Sequence, residues 1–287
     1  MGSGESVKQL FKGKKVVVAT MHKKEEVIGP LFFDAFGVNC TVINGLDTDK
    51  FGTFTGEKER LSDPLTTARN KCILAAERTG ASIVIASEGS FGSHPQIPYV
   101  PADDEIVLLK DFDNNLEIFG RKISLETNYY GSYVHNLNEL SDFTSKVDFP
   151  NHAIIIKDHD QNFTNVIKGI SSWDALHDHY KEFIDKDLAV YLETDMRALY
   201  NPTRMKVIAD ATKNLIEKLN SICPSCDMPG FAIKNVQKGL PCECCGALTN
   251  GILSLNYVCS KCEFKLEKPY PNNKEKESAM YCDFCNP

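Results

Sequence analysis

Ser82-Ile-Val-Ile-Ala-Ser-Glu-Gly-Ser-Phe-Gly-Ser-His94 decides the fold. Its first six residues are a short apolar, β-branched run behind Gly80, and they read as a buried strand over 82–87. The glycine- and serine-bearing remainder reads as a loop leading into Pro95–Pro101. Working back, Asp63-Pro64 supplies an N-cap and a first-turn proline, so a helix is expected through Ala68, Cys72, Ala75 and Ala76 towards Gly80. Cys40–Ile43 predicts a further strand, and Lys23–Phe36 a helix that Pro30 kinks or shortens. Lys14–Thr20 predicts the first strand, behind a polar leader over residues 1–13. Working forward, Glu105–Leu109 and Leu116–Phe119 flank Asp113-Asn-Asn115 as a hairpin, with an extension over Lys122–Leu125. Strands are expected at Ala153–Ile156, Asn165–Lys168 and Ala189–Leu192, and a helix that starts past Asn201-Pro202 and ends near Asn220. Early alternation of strand and helix, interrupted by a hairpin, predicts an α/β domain with a mixed sheet over residues 14–220.

Residues 221–287 are of another kind. They hold four Cys-x-x-Cys pairs: Cys223/Cys226, Cys242/Cys245, Cys259/Cys262 and Cys282/Cys285. Each pair can aim two thiolates at one ion, so eight such sulfurs predict two structural Zn²⁺ sites in a small double zinc-ribbon domain. A disulfide framework would suit a small secreted chain, whereas the start of this one lacks the basic and apolar regions of a secretory signal. Sequential pairing of the knuckles, first with second and third with fourth, is the expectation. Cys244 reads as a spare or as a substitute for Cys245, and Cys40 and Cys72 as core residues.

Charge narrows the partners. The tail has 7 Lys, no Arg and 7 Asp/Glu, so the whole net charge of −7 lies in residues 1–220. Eight thiolates holding two Zn²⁺ would add roughly four negative charges to the tail. That disfavours a grip on nucleic acid, which needs clustered Lys and Arg. Apolar runs are too short to cross a bilayer, and a cytoplasmic location is the expectation.

Polar segments at strand ends mark the candidate site, as is usual in open α/β sheets. Thr20, Lys23 and Lys24 stand at a strand-to-helix turn and read either as a phosphate pocket or as a solvated first turn. The loop over 47–60 carries Glu57 and Glu59 as oxygen ligands for a hard cation such as Mg²⁺. Glu88 at the mouth of the central strand is placed to bind Mg²⁺ or to activate water, with Ser90 beside it. His94 reads as structural. Arg197 and Arg204 serve either to recognise phosphate or a purine carbonyl, or to pair with Glu193 and Asp195.

In this order the segments resemble the inosine/xanthosine triphosphate pyrophosphatase superfamily. The likeness rests on Thr20, Lys23 and Lys24; on Phe51-Gly52 through Glu57, Glu59, Ala68, Arg69 and Asn70; on Ile85-Ala-Ser-Glu-Gly89; and on Arg204 in Pro202-Thr-Arg204. It covers roughly residues 14–220. His22 replaces a common Asn, and the family's paired acidic motif is reduced to Glu88. The chain as a whole is similar to a bacterial family of unknown function in which such a domain ends in tandem zinc ribbons. Phe51-Gly-Thr-Phe-Thr-Gly-Glu57, Ser87-Glu-Gly-Ser-Phe-Gly92 and Asp195-Met-Arg-Ala198 carry that similarity. The resemblance implies Mg²⁺-dependent hydrolysis of a nucleotide or related phosphorylated metabolite. In it Thr20, Lys23 and Lys24 hold phosphates, Glu57, Glu59 and Glu88 are catalytic, and Arg204 contacts base or phosphate. The competing expectation is a silent nucleotide sensor whose ribbons dock a protein partner through Pro229-Gly-Phe231 and Tyr281–Phe284.

Overall fold

A computed structural model describes residues 3–43, 63–159, 165–184 and 189–287. The chain divides into two compact units: residues 13–112 with 119–216, and residues 217–287 with 1–12 and 113–118.

The larger unit carries a five-stranded mixed sheet. Strands β1 (Val16–Ala19), β2 (Cys40–Val42) and β3 (Ile83–Ser93) are parallel, whereas β4 (Pro101–Asp111) runs antiparallel to β3. With β5 (Leu116–Ser124) the spatial order is β2-β1-β3-β4-β5. Val16 to Ala19 are all buried, which explains the unbroken apolar run of a strand covered on both faces. Helix α2 (Glu25–Phe36) keeps Pro30 within it and buries Ile28, Phe32 and Phe36. Helix α3 (Pro64–Thr79) starts as its sequence dictates: Asp63 accepts from the Leu65 and Thr66 amides at 3.0 and 3.1 Å. It ends at Gly80, whose φ of 66° is the left-handed cap. Its Ala68, Cys72 and Ala75 pack on Val17, Ala19, Val84, Ala86 and Leu108, which fixes one face of the sheet.

Two expectations are corrected. The leader is helical, α1 (Ser3–Phe11), with Val7, Leu10 and Phe11 buried. The central strand does not stop at Ser87; it runs to Ser93, pairing Ser87 through Ser93 with Val107 through Pro101. Serine and glycine disguise the second half of β3 as a loop. What makes it a strand is its partner, and a local reading does not see that.

A second sheet in the same unit has the order β6-β9-β7-β8, with β6 Gly131–Val134, β7 Ile154–Lys157, β8 Val166–Ile170 and β9 Val190–Thr194. Helices α4 (Leu137–Lys146) and α5 (Trp173–Ile184) contribute Leu140, Phe143, Leu176 and Tyr180 to its core. Beyond β9 a 3-10 turn (Ala198–Tyr200) leads into α6 (Pro202–Asn220). Helix α6 crosses β5 at Gly120, where a Cβ would meet the Ala211 carbonyl oxygen at 2.1 Å.

The cysteine unit is built on an antiparallel sheet of β10 (Phe231–Lys238), β11 (Ile252–Cys259) and β12 (Lys265–Pro269). No described helix is long and apolar enough to cross a membrane.

Candidate functional site

Alternation along β3 and β4 sorts the polar residues of the α/β unit into two sets. Directly opposed residues share a face, so Ser87, Gly89 and Phe91 lie with Val107, Glu105 and Asp103 on one side. Glu88 and Ser90 lie with Ile106 and Asp104 on the side that α3 covers.

On the α3 side, Glu88 is 3% exposed and forms an ion pair with Lys71 of α3. Glu88 is therefore an interior group held by a cation, where the sequence suggested an open strand mouth. Ser90 is half-buried beside it. On the other side, Glu105 and Arg204 form a fully buried ion pair, Arg204 Nε to Glu105 Oε1 at 2.6 Å. Arg204 also donates to the Met196 carbonyl oxygen at 2.5 Å and lies over the Phe91 ring, 5.1 Å from its centroid. Gly89 explains how this carboxylate fits. A Cβ there would stand 2.0 Å from Glu105 Oε1, so only glycine lets the side chain cross the strand.

β1 ends level with Ala86, leaving β3 to continue past it. The turn after β1 fills that space. Thr20 is nearly buried and its Oγ1 accepts from the His22 amide at 3.3 Å. Lys23 takes a φ of 58° and its ammonium pairs with Glu26 at 3.4 Å, out towards solvent. Lys24 turns inward, and its Nζ donates to the Ser87 carbonyl oxygen at 3.3 Å. Of the three residues assigned to a phosphate pocket, the structure thus brings Thr20 and Lys24 to the cluster and sends Lys23 outward.

Charges at this strand end act on one another. Burial, then Arg204, pushes Lys24 down to about 7, while Glu105 and Glu88 pull the other way. Burial, then Lys24, Arg204, Arg197 and Lys71, pushes His22 down to about 3, so its imidazole is neutral at pH 7. Burial and the Glu105 carboxylate push Asp103 up to about 8. Arg197 makes a fork with the buried Asp195, at 3.0 Å from Nε and 2.6 Å from Nη2, and stacks on Tyr200. Glu57 and Glu59 lie outside the described residues. His94 caps a turn, its Nδ1 accepting from the Gln96 and Ile97 amides, both at 3.1 Å.

The sequence pointed to Thr20, Lys24, Glu88 and Arg204 but missed Lys71, Asp103 and Glu105. Glu105 and Asp103 sit inside a strand expected only as half of a hairpin. The signal that could have found them is a run of acids, Asp103-Asp-Glu105, abutting the apolar Ile106–Leu109.

The cysteines gather into two groups of four, but not in the expected order. Cys223, Cys226, Cys259 and Cys262 form one, and Cys242, Cys245, Cys282 and Cys285 the other, with all sulfurs of a group within 4.8 Å. First pairs with third and second with fourth. Strand direction is the cause. Antiparallel β10 and β11 bring the knuckle before Phe231 beside the one that begins at Cys259, their registered partner. Antiparallel β12 returns the fourth knuckle towards the start of β11, near the second. The sulfur separations of 3.8, 3.7, 3.9 and 3.6 Å match the edge of a tetrahedron with metal–sulfur bonds of about 2.3 Å. Each group can hold one metal ion, and four thiolates in this geometry fit zinc. Backbone amides at the turns lower Cys242 and Cys262 to about 7, whereas burial raises Cys226 and Cys259 and the neighbouring Cys245 raises Cys285, as crowded thiols do without a cation between them. Cys244 points outward, with Cys245 in the group. Phe231 packs on Tyr257 and Phe264, so it serves the interior.

Among the described residues no other three His, Cys, Asp or Glu side chains gather in this way. The described carboxylates therefore do not form a Mg²⁺ cage.

A family profile described as a domain of unknown function, DUF6671, matches residues 71–287. The match opens within α3 and takes in Lys71, Glu88, Asp103, Glu105, Arg204 and all eight gathered cysteines. No curated protein matches the chain.

Proposed function

The chain belongs to the DUF6671 family, and for this member we propose that the α/β unit binds and hydrolyses a nucleotide or related phosphorylated metabolite. The cysteine unit is held together by two structural zinc ions. The observation that carries the reading is the turn at the carboxyl end of β1, where Lys24 reaches inward to the Ser87 carbonyl of parallel β3 beside the buried ion pairs Lys71–Glu88 and Arg204–Glu105. Ligands of open α/β sheets bind at such ends. The cationic surroundings that hold His22 neutral would attract a phosphate.

In this reading Thr20 and Lys24 hold phosphoryl oxygens, and an arriving anion restores the full charge of Lys24. Glu88, fixed by Lys71, orients the attacking water, and the bond to the leaving phosphate breaks as the new P–O bond forms. The resemblance to the inosine/xanthosine triphosphate pyrophosphatases supports the same substrate class.

The test is release of phosphate and pyrophosphate from a panel of nucleoside triphosphates, inosine and xanthosine forms included, with and without Mg²⁺. Release that Glu88→Gln eliminates is expected; release that survives this change would remove Glu88 from its role. The second reading, a silent sensor, is favoured by the internal pairing of Glu88 and Arg204. Leu248, Met280, Tyr281 and Phe284, each more than half exposed, would then serve to dock a protein partner. Saturable nucleotide binding without product would select it.

A further inference from the structure

Asp103 is the least provided-for group in the α/β unit. Its side chain is fully buried, and neither carboxyl oxygen has a hydrogen-bond partner among the described residues. On the same face of the sheet, Glu105 Oε2 stands two register positions along from Asp103 and Ser87 Oγ four, and both are also buried and unpartnered. Buried polar atoms in native proteins are nearly always satisfied, so three neighbouring residues left open mark a place for something else.

The charges around Asp103 say what it is. Glu105 faces it from β4, Arg204 from α6 and Lys24 from the head of α2, with Asp104 adding its charge from the other face of the strand. Arg204 gives Nε to Glu105 and Nη1 to Met196, Lys24 gives Nζ to the Ser87 carbonyl, and neither cation comes within hydrogen-bond distance of Asp103. An ionised Asp103 would stand beside the Glu105 carboxylate with no donor of its own. A resident metal ion would stand beside two cations. A proton on Asp103 resolves both conflicts and turns an unpartnered acceptor into a donor.

We propose that Asp103 is kept as a neutral carboxylic acid in the resting protein and donates its proton as a hydrogen bond to an anionic phosphoryl oxygen of the ligand. This rests on the reading of the unit as a phosphate-binding one. Carboxylic acids held neutral by an apolar setting serve as such donors elsewhere. The raised affinity of Asp103 for its proton agrees with the geometry. Binding then depends on pH through one proton: ionisation of Asp103 removes the donor and sets a negative charge against the ligand.

The experiment is calorimetric titration of pyrophosphate into the metal-loaded full chain at pH 6 and pH 9, for wild type, Asp103→Asn and Asp103→Leu. Loss of charge on Lys24 weakens all three, and in wild type an ionised Asp103 would only help Lys24 keep its charge, so a fall in the ratio of wild-type to Asn affinity with pH is the informative quantity. The ratio is expected near one at pH 6 and near a tenth at pH 9, a factor of about ten per pH unit above the titration. The Leu variant is expected to bind at least about tenfold more weakly than Asn at both pH values. A ratio that does not change with pH would overturn the neutral acid, and Leu binding as tightly as Asn would overturn the donor. An infrared difference spectrum, wild type minus Asn, gives a check free of ligand: a protonated-carboxyl band at pH 6 that disappears at high pH. Its absence at pH 6 would overturn the proposal even if pyrophosphate binds. If the band is present and wild type binds no pyrophosphate at pH 6, the phosphate reading fails, and the donor role with it.

Discussion

The cysteine unit and the α/β unit gather their polar residues by opposite routes. In the first, each half-site is local: two cysteines three positions apart in one knuckle, joined to a second knuckle by the return of a strand. In the second, Lys24, Lys71, Glu88, Asp103, Glu105 and Arg204 come from five separate elements, and only the completed sheet sets them on its two faces around the same strands. One site is written as spacing and the other as topology. The energetics differ accordingly: the first is suited to be held by a metal ion, whereas the second rests on buried ion pairs whose desolvation offsets much of their attraction.

Metal removal breaks the comparison most forcefully. Chelation is expected to abolish amide protection in β10–β12, since structural zinc contributes on the order of 10 kcal/mol to such folds. Simultaneous loss of protection in β1 and β3 would make the two units one cooperative body and end the contrast. The pairing itself is sharpened by counting ions. Cys226→Ser with Cys259→Ser is expected to cost one metal, and Cys226→Ser with Cys245→Ser to cost two. Sequential pairing would reverse those numbers.

In the α/β unit Arg204→Met leaves Glu105 buried without its cation, and denaturant unfolding should show a loss of about 3–5 kcal/mol. A loss within the ±0.5 kcal/mol of surface changes would mean the pair is exposed in solution. Gly89→Ala should cost about 1–3 kcal/mol, because a Cβ would displace a carboxylate that Arg204 holds in place. Shortening Glu105 in the same chain should recover part of that loss, and strict additivity would refute the stated clash.

The last effect is read as a slope. The native state keeps the Asp103 proton up to about pH 8, whereas the unfolded chain releases it near 3.8. Stability attributable to this group is therefore fully present below pH 4 and falls as pH rises to about 8. Asp103→Asn should remove that slope, so its melting temperature should gain on wild type from pH 4 to 8 and level off above. A gain that shrinks with pH would invert the assignment.

The same contrast sets how much could be read in advance. Helix α3 was legible because Asp63, Pro64 and Gly80 are short-range signals, and α6 because Asn201-Pro202 marks its start to within a residue. The eight ligating cysteines were legible through spacing, but their partners were not, since pairing depends on the direction of β11 and β12. Glu88 stood out at the end of an apolar run. Its partner Lys71, one residue before Cys72 on α3, gave no such signal. Glu105 and Asp103 were hidden because their meaning depends on Gly89 across the strand and on Arg204, 99 residues away.

The most direct test of the phosphate-binding account is equilibrium titration of nucleoside triphosphates into the zinc-loaded chain, comparing wild type with Lys24→Met. Saturable binding that weakens at least about tenfold with loss of this inward lysine is predicted, since it removes a charged donor at the anion. Binding that is absent across the panel, or that survives Lys24→Met unchanged, would contradict it.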